Sequence, residues 1–153
     1  MSSQKLASKY PEPTVGALIL NPKQEIFLVK SHKWHNTYVM PGGHIELGEK
    51  MTDALKREIK EETGMKISNI HFLSLHEFIF QKTYWKKKHL LFINFYCTSQ
   101  YTGKITLNDE AEEYTWVSIA KALKLNLEPS TRKAILEYKS RVLNHVRQLP
   151  VIK

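Results

Sequence analysis

Residues 43–65 read GHIELGEKMTDALKREIKEETGM, and the fold turns on how the middle of this stretch is understood. The spacing predicts a helix over about 50–62, with Gly64 placed for a left-handed C-terminal stop. Stepping about 100° per residue, Met51, Leu55 and Ile59 form an apolar stripe that faces a core. Glu58 and Glu62 fall on the side of Met51 and Leu55, and Glu61 lies at the margin. Three carboxylates thus share an arc of about 100° that overlaps the edge of the buried stripe. Most Glu-rich helices turn their acids to water. Here like charges at i,i+3 and i,i+4 repel, and carboxylates at a core edge lose solvation, so the cluster needs a cation. Arg57 alone does not balance three carboxylates, whereas a hard divalent ion suits an oxygen-only ligand set.

The rest of the chain sets the frame for that segment. Its 153 residues, 42% hydrophobic and 25% charged, suit one domain with a single core and exclude a disordered or fibrous protein. No apolar run approaches the ~20 residues of a membrane helix. The opening MSSQKLASKYPEP lacks the apolar segment of a secretory leader, so a soluble, cytoplasmic protein is expected. A single cysteine, Cys97, excludes an internal disulfide and a Cys-rich zinc cage, and its apolar surroundings place it in the core. The net charge is +8, yet residues 43–65 hold six acids and four bases, which leaves the remainder at +10. An acidic segment inside a basic chain fits a cation site that handles an anionic substrate.

Working outward, residues 1–13 read as an N-terminal arm and 14–153 as one domain. Apolar, β-prone runs at 15–20 and 26–30 flank the turn Asn21-Pro22-Lys23-Gln24 and predict a hairpin. A polar, aromatic loop follows at 31–37, then a short strand at 38–40 stopped by Pro41-Gly42-Gly43. Longer strands are expected at 67–80 and 89–99, joined by the basic stretch QKTYWKKK. A turn at Thr102-Gly103, a short strand at 104–107, an acidic loop at 108–113, a strand at 114–117 and a short helix at 118–123 come next. Ile135, Tyr138, Val142 and Val146 recur at helical spacing and predict a closing amphipathic helix over 130–148 with a solvated basic face. Strands mixed with a few helices on one core point to an α/β or α+β fold.

The central segment resembles the signature of the Nudix hydrolases. Gly43, five residues, Glu49, seven residues, and then Arg57, Glu58, Glu61, Glu62 and Gly64 fill every fixed position of that pattern. Ile59 and Met65 supply its bulky apolar positions, and Pro41-Gly42 supplies the PGG often found ahead of it. The resemblance implies an α/β/α sandwich with a mixed β-sheet between helices, the motif forming a loop–helix–loop. It implies hydrolysis of a nucleoside diphosphate linked to another group, by water attack at phosphorus assisted by Mg²⁺ or Mn²⁺. On that pattern Glu58 and Glu62 are the principal metal ligands and Glu61 is a further ligand or a base. The carbonyl of Gly42 completes the metal site, while Glu49 and Arg57 pair to brace the loop against the helix. Gly42 and Gly43 are expected to allow a tight turn and close approach to the metal. Family members often draw a base or ligand from a Glu six residues before a Trp; Glu110 stands so before Trp116, with Glu113 the second choice. The alternative is that the acids of 109–113 are plain surface charges.

The substrate is less marked. Trp34 and His35 ahead of the third strand, and Tyr84 and Trp85 among Lys82, Lys86, Lys87 and Lys88, are candidates to stack on a base, against the simpler reading of a solvated hairpin tip. No proline occurs between Pro41 and Pro129, where ADP-ribose-cleaving relatives often carry one. Tyr84 comes slightly late for the tyrosine of dinucleoside-polyphosphate-cleaving relatives. The expectation is a nucleotide pyrophosphohydrolase acting on a nucleoside triphosphate or related nucleotide, with a 5′-phosphorylated RNA end and a homodimer left open and no membrane partner. The competing class is a non-catalytic nucleotide- or RNA-binding regulatory module. Degenerate members of that kind usually lose a motif glutamate, and this chain retains all of them.

Overall fold

The computed structural model describes residues 8–101 and 105–144. Two apolar strands, β1 (Glu12–Leu20) and β6 (His89–Thr98), form its centre and run parallel in unbroken register from Glu12↔Leu90 to Leu20↔Thr98. Val15, Ala17, Leu18, Ile19 and Leu20 are all buried, the run without alternation expected of a strand covered on both faces. Glu12 and Pro13 belong to β1, so the expected boundary of the arm at residue 13 falls inside a strand; residues 1–7 lie outside the described residues.

The seven-stranded mixed sheet has the order β3-β2-β1-β6-β5, with β2 at Ile26–Ser31, β3 at Thr37–Val39 and β5 at Ser68–Ile79. β7 (Glu113–Val117) pairs with β2, and β4 (Gly42–His44) with β1. The expected hairpin of the first two strands exists, but their aligned pairing is confined to Leu20↔Ile26. The rest of that edge of β1 is taken by β4, with Thr14↔His44, Val15↔Gly43 and Gly16↔Gly42. β3 does end ahead of Pro41, as expected, but Gly42 and Gly43 open a new strand, and neither glycine has a positive φ. The tight turn expected there is replaced by a strand, and the glycines are needed for room: a methyl group on Gly42 would overlap the Val15 carbonyl oxygen.

The helix α1 (Met51–Thr63) closes on Gly64, whose φ of 75° is left-handed and whose N–H donates to the Lys60 carbonyl. Leu55 and Ile59 are fully buried against β1 and its neighbours, but Met51 is 46% exposed and does not join the stripe assigned to it. Its position in the first turn lifts it clear of the sheet, and Ala54 takes the inner place instead. The opposite face of the sheet is covered by α2 (Ile119–Ala122) and α3 (Pro129–Tyr138), which pack on Leu18, Leu20, Ile26 and Leu28. The sheet thus lies between helices. Among the described residues no helix is long and apolar enough to cross a membrane.

Two further expectations change. No strand forms at 105–107; Ile105 is buried, and Asn108 donates its N–H to the Glu62 carbonyl at 3.2 Å, which docks this stretch on the end of α1. The Thr102-Gly103 turn and residues 145–148 of the closing helix lie outside the described residues. Within them α3 passes into a π-type turn at Lys139–Leu143, and its basic face is not wholly solvated. Arg132 donates to the carbonyls of Leu123 and Leu125, and Arg141 to that of Leu73 on the edge strand.

The two kinds of glycine separate on substitution. Gly42→Ala meets backbone that cannot yield and is expected to lose about 3 kcal/mol or to fold poorly. Gly48→Ala, at φ 82° with open space around it, is expected to cost only the left-handed strain of about 1 kcal/mol. Urea unfolding of the two variants checks the order.

Candidate active site

Arg57 organises the acidic end of the molecule. Its Nε and Nη2 donate to the two oxygens of Glu49 at 2.8 and 2.9 Å, a bidentate pair between α1 and the loop before it. Nη2 also donates to the His44 carbonyl at 3.0 Å, and Nη1 reaches Glu58 at 2.9 Å and Glu61 at 3.3 Å. The loop closes further on itself, since Glu49 accepts the Glu46 N–H at 3.1 Å. These bonds hold the Glu49 carboxyl down at about 2 and raise the already high pKa of Arg57.

The three helix carboxylates diverge from there. Glu58 is partly buried beside Gly43, where a methyl group would overlap its carboxylate. Glu62 is buried, 8% exposed. Glu61 turns to solvent and to Arg57. Burial pushes the Glu62 carboxyl well above the usual range, and the charges of Glu110 and Glu58 push it further; a backbone hydrogen bond from Gly42 pulls the other way. Burial also raises Glu58, against the pull of Arg57. The charges of Glu58, Glu62 and Glu110 thus act on one another, while Glu61, exposed, acts on Glu58 and shares Arg57 Nη1 with it.

Glu110 is delivered by the acidic loop, which is fastened to β2 and the turn after it. Lys30 pairs with Glu113 at 3.4 Å, His32 with Glu112 at 2.6 Å, and Lys33 with Glu110 at 3.8 Å. The His32 contact lowers the pKa of Glu112. Glu110 lines a cavity of about 260 Å³ together with Glu58, Gly42, Gly43 and Lys33. Glu113 is held away from it by Lys30 and by the Tyr38 hydroxyl, 3.3 Å distant.

The donor chemistry of this region fits a hard divalent cation: carboxylate and carbonyl oxygens, no thiolate, and mutual repulsion that a cation relieves. Among the described residues, no three His, Cys, Asp or Glu side chains are already gathered closely enough to grip an ion unaided. Glu58, Glu62, Glu110 and the Gly42 carbonyl are the groups that would hold one.

The aromatic candidates divide in two. Trp34 and Tyr84 come together, ring centres 4.4 Å apart, and both line the cavity. They are joined because the basic loop folds back on the turn His32–Trp34, with the Trp85 N–H donating to the Lys33 carbonyl at 2.8 Å. His35 and Trp85 do not line the cavity. The His35 Nε2 is engaged with the Lys82 carbonyl at 2.8 Å, and Trp85 is flanked by the ammonium groups of Lys33 and Lys86. Lys88 is spent on Glu12, at 3.0 Å. Sequence reasoning passed over Lys33, Asn94 and Glu128, all of which line the cavity. Asn94 carried a signal as the single polar residue in the middle of HLLFINFYC, and Glu128 carried one as an acid directly before a helix-starting proline.

A carboxylate-rich helix face, a glycine strand against it and an aromatic pair lining the same cavity are features that suit a hydrolase of phosphate anhydrides. A family model described as a NUDIX domain matches residues 10–138, and the chain belongs to that family, as a Nudix pyrophosphohydrolase. It is 31% identical over 104 residues to the nucleoside triphosphatase NudI of Escherichia fergusonii, an alignment that spans 64% of this chain and 73% of the relative. The MutT protein of Methanosarcina mazei Go1 superposes with a TM-score of 0.70 at 26% identity, over 87% of this chain and 96% of that one. The dihydroneopterin triphosphate pyrophosphohydrolase of E. coli shares the fold with a TM-score of 0.70 at 19% identity, over 89% and 99%.

The Glu49–Arg57 pair has a pH signature. The folded-state pKa of Glu49 lies below the ordinary carboxylate value of 4.5, so its contribution is complete above that value and lost as pH falls towards about 2. Glu49→Gln is expected to melt at a lower temperature than the parent at pH 7, with the difference shrinking between about 4.5 and 2. Paired melting curves across that range measure it.

Proposed function

We propose that the protein hydrolyses nucleoside triphosphates or closely related nucleoside diphosphate derivatives, with a divalent cation, Mg²⁺ in the first instance, bound between Glu58, Glu62, Glu110 and the Gly42 carbonyl. The observation that carries this reading is the meeting of two unlike walls in one cavity: the repelling carboxylates Glu58 and Glu110 beside Gly43, and the aromatic pair Trp34–Tyr84. The name of the NudI relative supports the same substrate class.

A bound divalent cation supplies charge neutralisation at phosphate oxygens and a water of lowered pKa. The chain's own residues do the rest. Trp34 and Tyr84 hold the base flat, which fixes where the phosphates lie. Lys33 presents an ammonium group to them from the cavity wall. Glu110 is exposed, lies on the wall 3.8 Å from Lys33 and faces Glu62, so the carboxylate that would help hold the cation is also the one placed to take the proton of the attacking water. Glu61 is the reserve for that role, from its place outside the cavity. Arg57 and Glu49 act by position, holding Glu58 and the glycine strand in register. The protein forms no covalent intermediate in this scheme.

The test is a screen with Mg²⁺ and with Mn²⁺ of nucleoside triphosphates, nucleotide sugars, ADP-ribose, dinucleoside polyphosphates and 5′-triphosphorylated RNA. Parent turnover is expected to fall by about 100-fold or more in Glu62→Gln. Because the raised pKa means that ionised Glu62 destabilises the fold above its unfolded pKa, the same variant is expected to melt no lower than the parent in EDTA at pH 7. A Glu62→Gln protein that keeps parental rates refutes the assigned role. Nucleotide binding without turnover across the whole panel makes the protein a binding module.

A further inference from the structure

The sheet face that carries α1 is wider than α1. The helix packs chiefly on β1 and β4, and beyond it β5 and β6 continue with apolar side chains on the same face. The register pairs Phe72 with Phe95, Leu75 with Ile93 and Glu77 with Leu91, and directly opposed residues share a face. Ile70 and Ile93 pack against the core under α1, which fixes the side on which this stripe lies. Phe72 is 55% exposed, Leu75 58% and Ile79 48%, while Ile70, Leu91 and Ile93 beside them are partly buried. Phe80, also exposed, continues the stripe with its ring against His89, the residue opposite Ile79.

The edge of β5 is guarded and its face is not. Register shifts between Ser68 and His71 and between Phe72 and Ser74 bend the strand, and Arg141 takes up the Leu73 carbonyl. Both features discourage the addition of a further strand. On the face, the exposed fractions leave about 400 Å² of apolar surface in one patch, an extent that generally marks a contact site. The twelve residues of β5 include no Lys or Arg, in a chain that has 23. The one carboxylate of the strand, Glu77, lies within the stripe and has no ion-pair partner among the described residues.

A second copy of the chain is the occupant that fits. A two-fold contact brings the stripe against itself, so each apolar surface is covered by another of the same extent. A standard interface takes about 800 Å² from each partner and a homodimer interface is about 65% apolar, or roughly 500 Å², which the exposed and partly buried side chains of the stripe together supply. Charge selects the same face. With a net charge of +8, two copies repel over most of their surface and approach best where cations are absent. Lys66 ahead of β5 and Lys87 over the Phe80 ring stand at the two ends of the stripe, so a two-fold copy also brings Glu77 the bases it lacks. We propose that the β5–β6 face is the contact surface of a closed, two-fold homodimer. Phe72, Leu75, Ile79, Leu91 and Ile93 do not line the cavity, so the contact leaves both cavities open, and the inference is independent of the catalytic reading.

Sedimentation equilibrium of the full chain tests this. Between about 1 and 100 μM the parent is expected to reach twice the chain mass, with a dissociation constant in the micromolar range or below. Raising NaCl to about 1 M is expected to leave the dimer in place, because salt does not screen apolar burial. Leu75→Lys and Ile79→Lys each set an ammonium group in the contact and are expected to raise the dissociation constant by about 100-fold or more. Both positions are exposed in the single chain, so the circular dichroism spectrum is expected to stay parental. Leu136→Lys, at a comparably exposed apolar residue of α3 across the sheet, is the control and is expected to dimerise like the parent. A parent that stays monomeric throughout, folded Leu75→Lys and Ile79→Lys proteins that dimerise like the parent, or oligomers that grow in place of a dimer overturn the proposal. Loss of the dimer in Leu136→Lys alone moves the contact to α3 and overturns it as well. A dimer broken by Leu75→Lys in a protein that hydrolyses nothing upholds the proposal and refutes the catalytic reading instead.

Discussion

One guanidinium, that of Arg57, holds four carboxylates within 4 Å: Glu46, Glu49, Glu58 and Glu61. Two unit charges at that distance and an effective dielectric of about 20 interact by about 4 kcal/mol, so an unbalanced cluster of this density would push the loop off the helix. Arg57 prevents this because its planar fork meets Glu49 with two parallel bonds while a third N–H reaches along the helix to Glu58. A lysine offers no such division of labour. The same side chain holds the His44 carbonyl, which fixes β4 against α1 and sets Gly43 beside Glu58. The distance between the glycine strand and the acidic helix face thus depends on one residue.

The cavity follows from how the edge of β1 is shared. Near Leu20 that edge belongs to β2, and from Thr14 to Gly16 it belongs to β4. Ala17 bridges the change by donating to the Pro41 carbonyl at 3.0 Å. Beside the place where β2 and β4 part company, the cavity is walled by Glu58 of α1, by Lys33 and Trp34 of the turn, and by the start of α3. Side chains at Gly16, Gly42 or Gly43 would fill it or break it. The pocket is a consequence of strand exchange at glycines, not of a separate lid or insertion.

Much of this was legible from residue pattern. The position of α1, its stop at Gly64, the long β5 and β6 strands and the burial of Leu55 and Ile59 follow from periodicity and capping, which are local. The pairing of Glu49 with Arg57 followed from family resemblance, and the structure shows why it is bidentate. What pattern did not reveal was non-local. Met51 has the right helical angle but lies a turn too early to reach the sheet. Gly42 and Gly43 look like a turn because the strand that needs their lack of side chains lies far upstream, where Gly16 pairs with Gly42 and Val15 with Gly43. Trp34 meets Tyr84, and His35 and Trp85 are taken up elsewhere, because of one backbone bond between Trp85 and Lys33 that no local signal announces.

Glu62 and Glu128 show how a buried acid is told apart as support or as machinery. Both are nearly inaccessible, and burial raises the pKa of both. Glu128 is given backbone N–H donors at the start of a helix, whose dipole also favours its charge, so part of its burial cost is returned locally. Glu62 instead faces two further acids, and its neighbours raise its cost. Packing of Leu55 and Ile59 on the sheet holds the helix in place regardless, so the strain is carried by the core and not relieved at the site. A fold retains such an arrangement where an absent positive charge completes it.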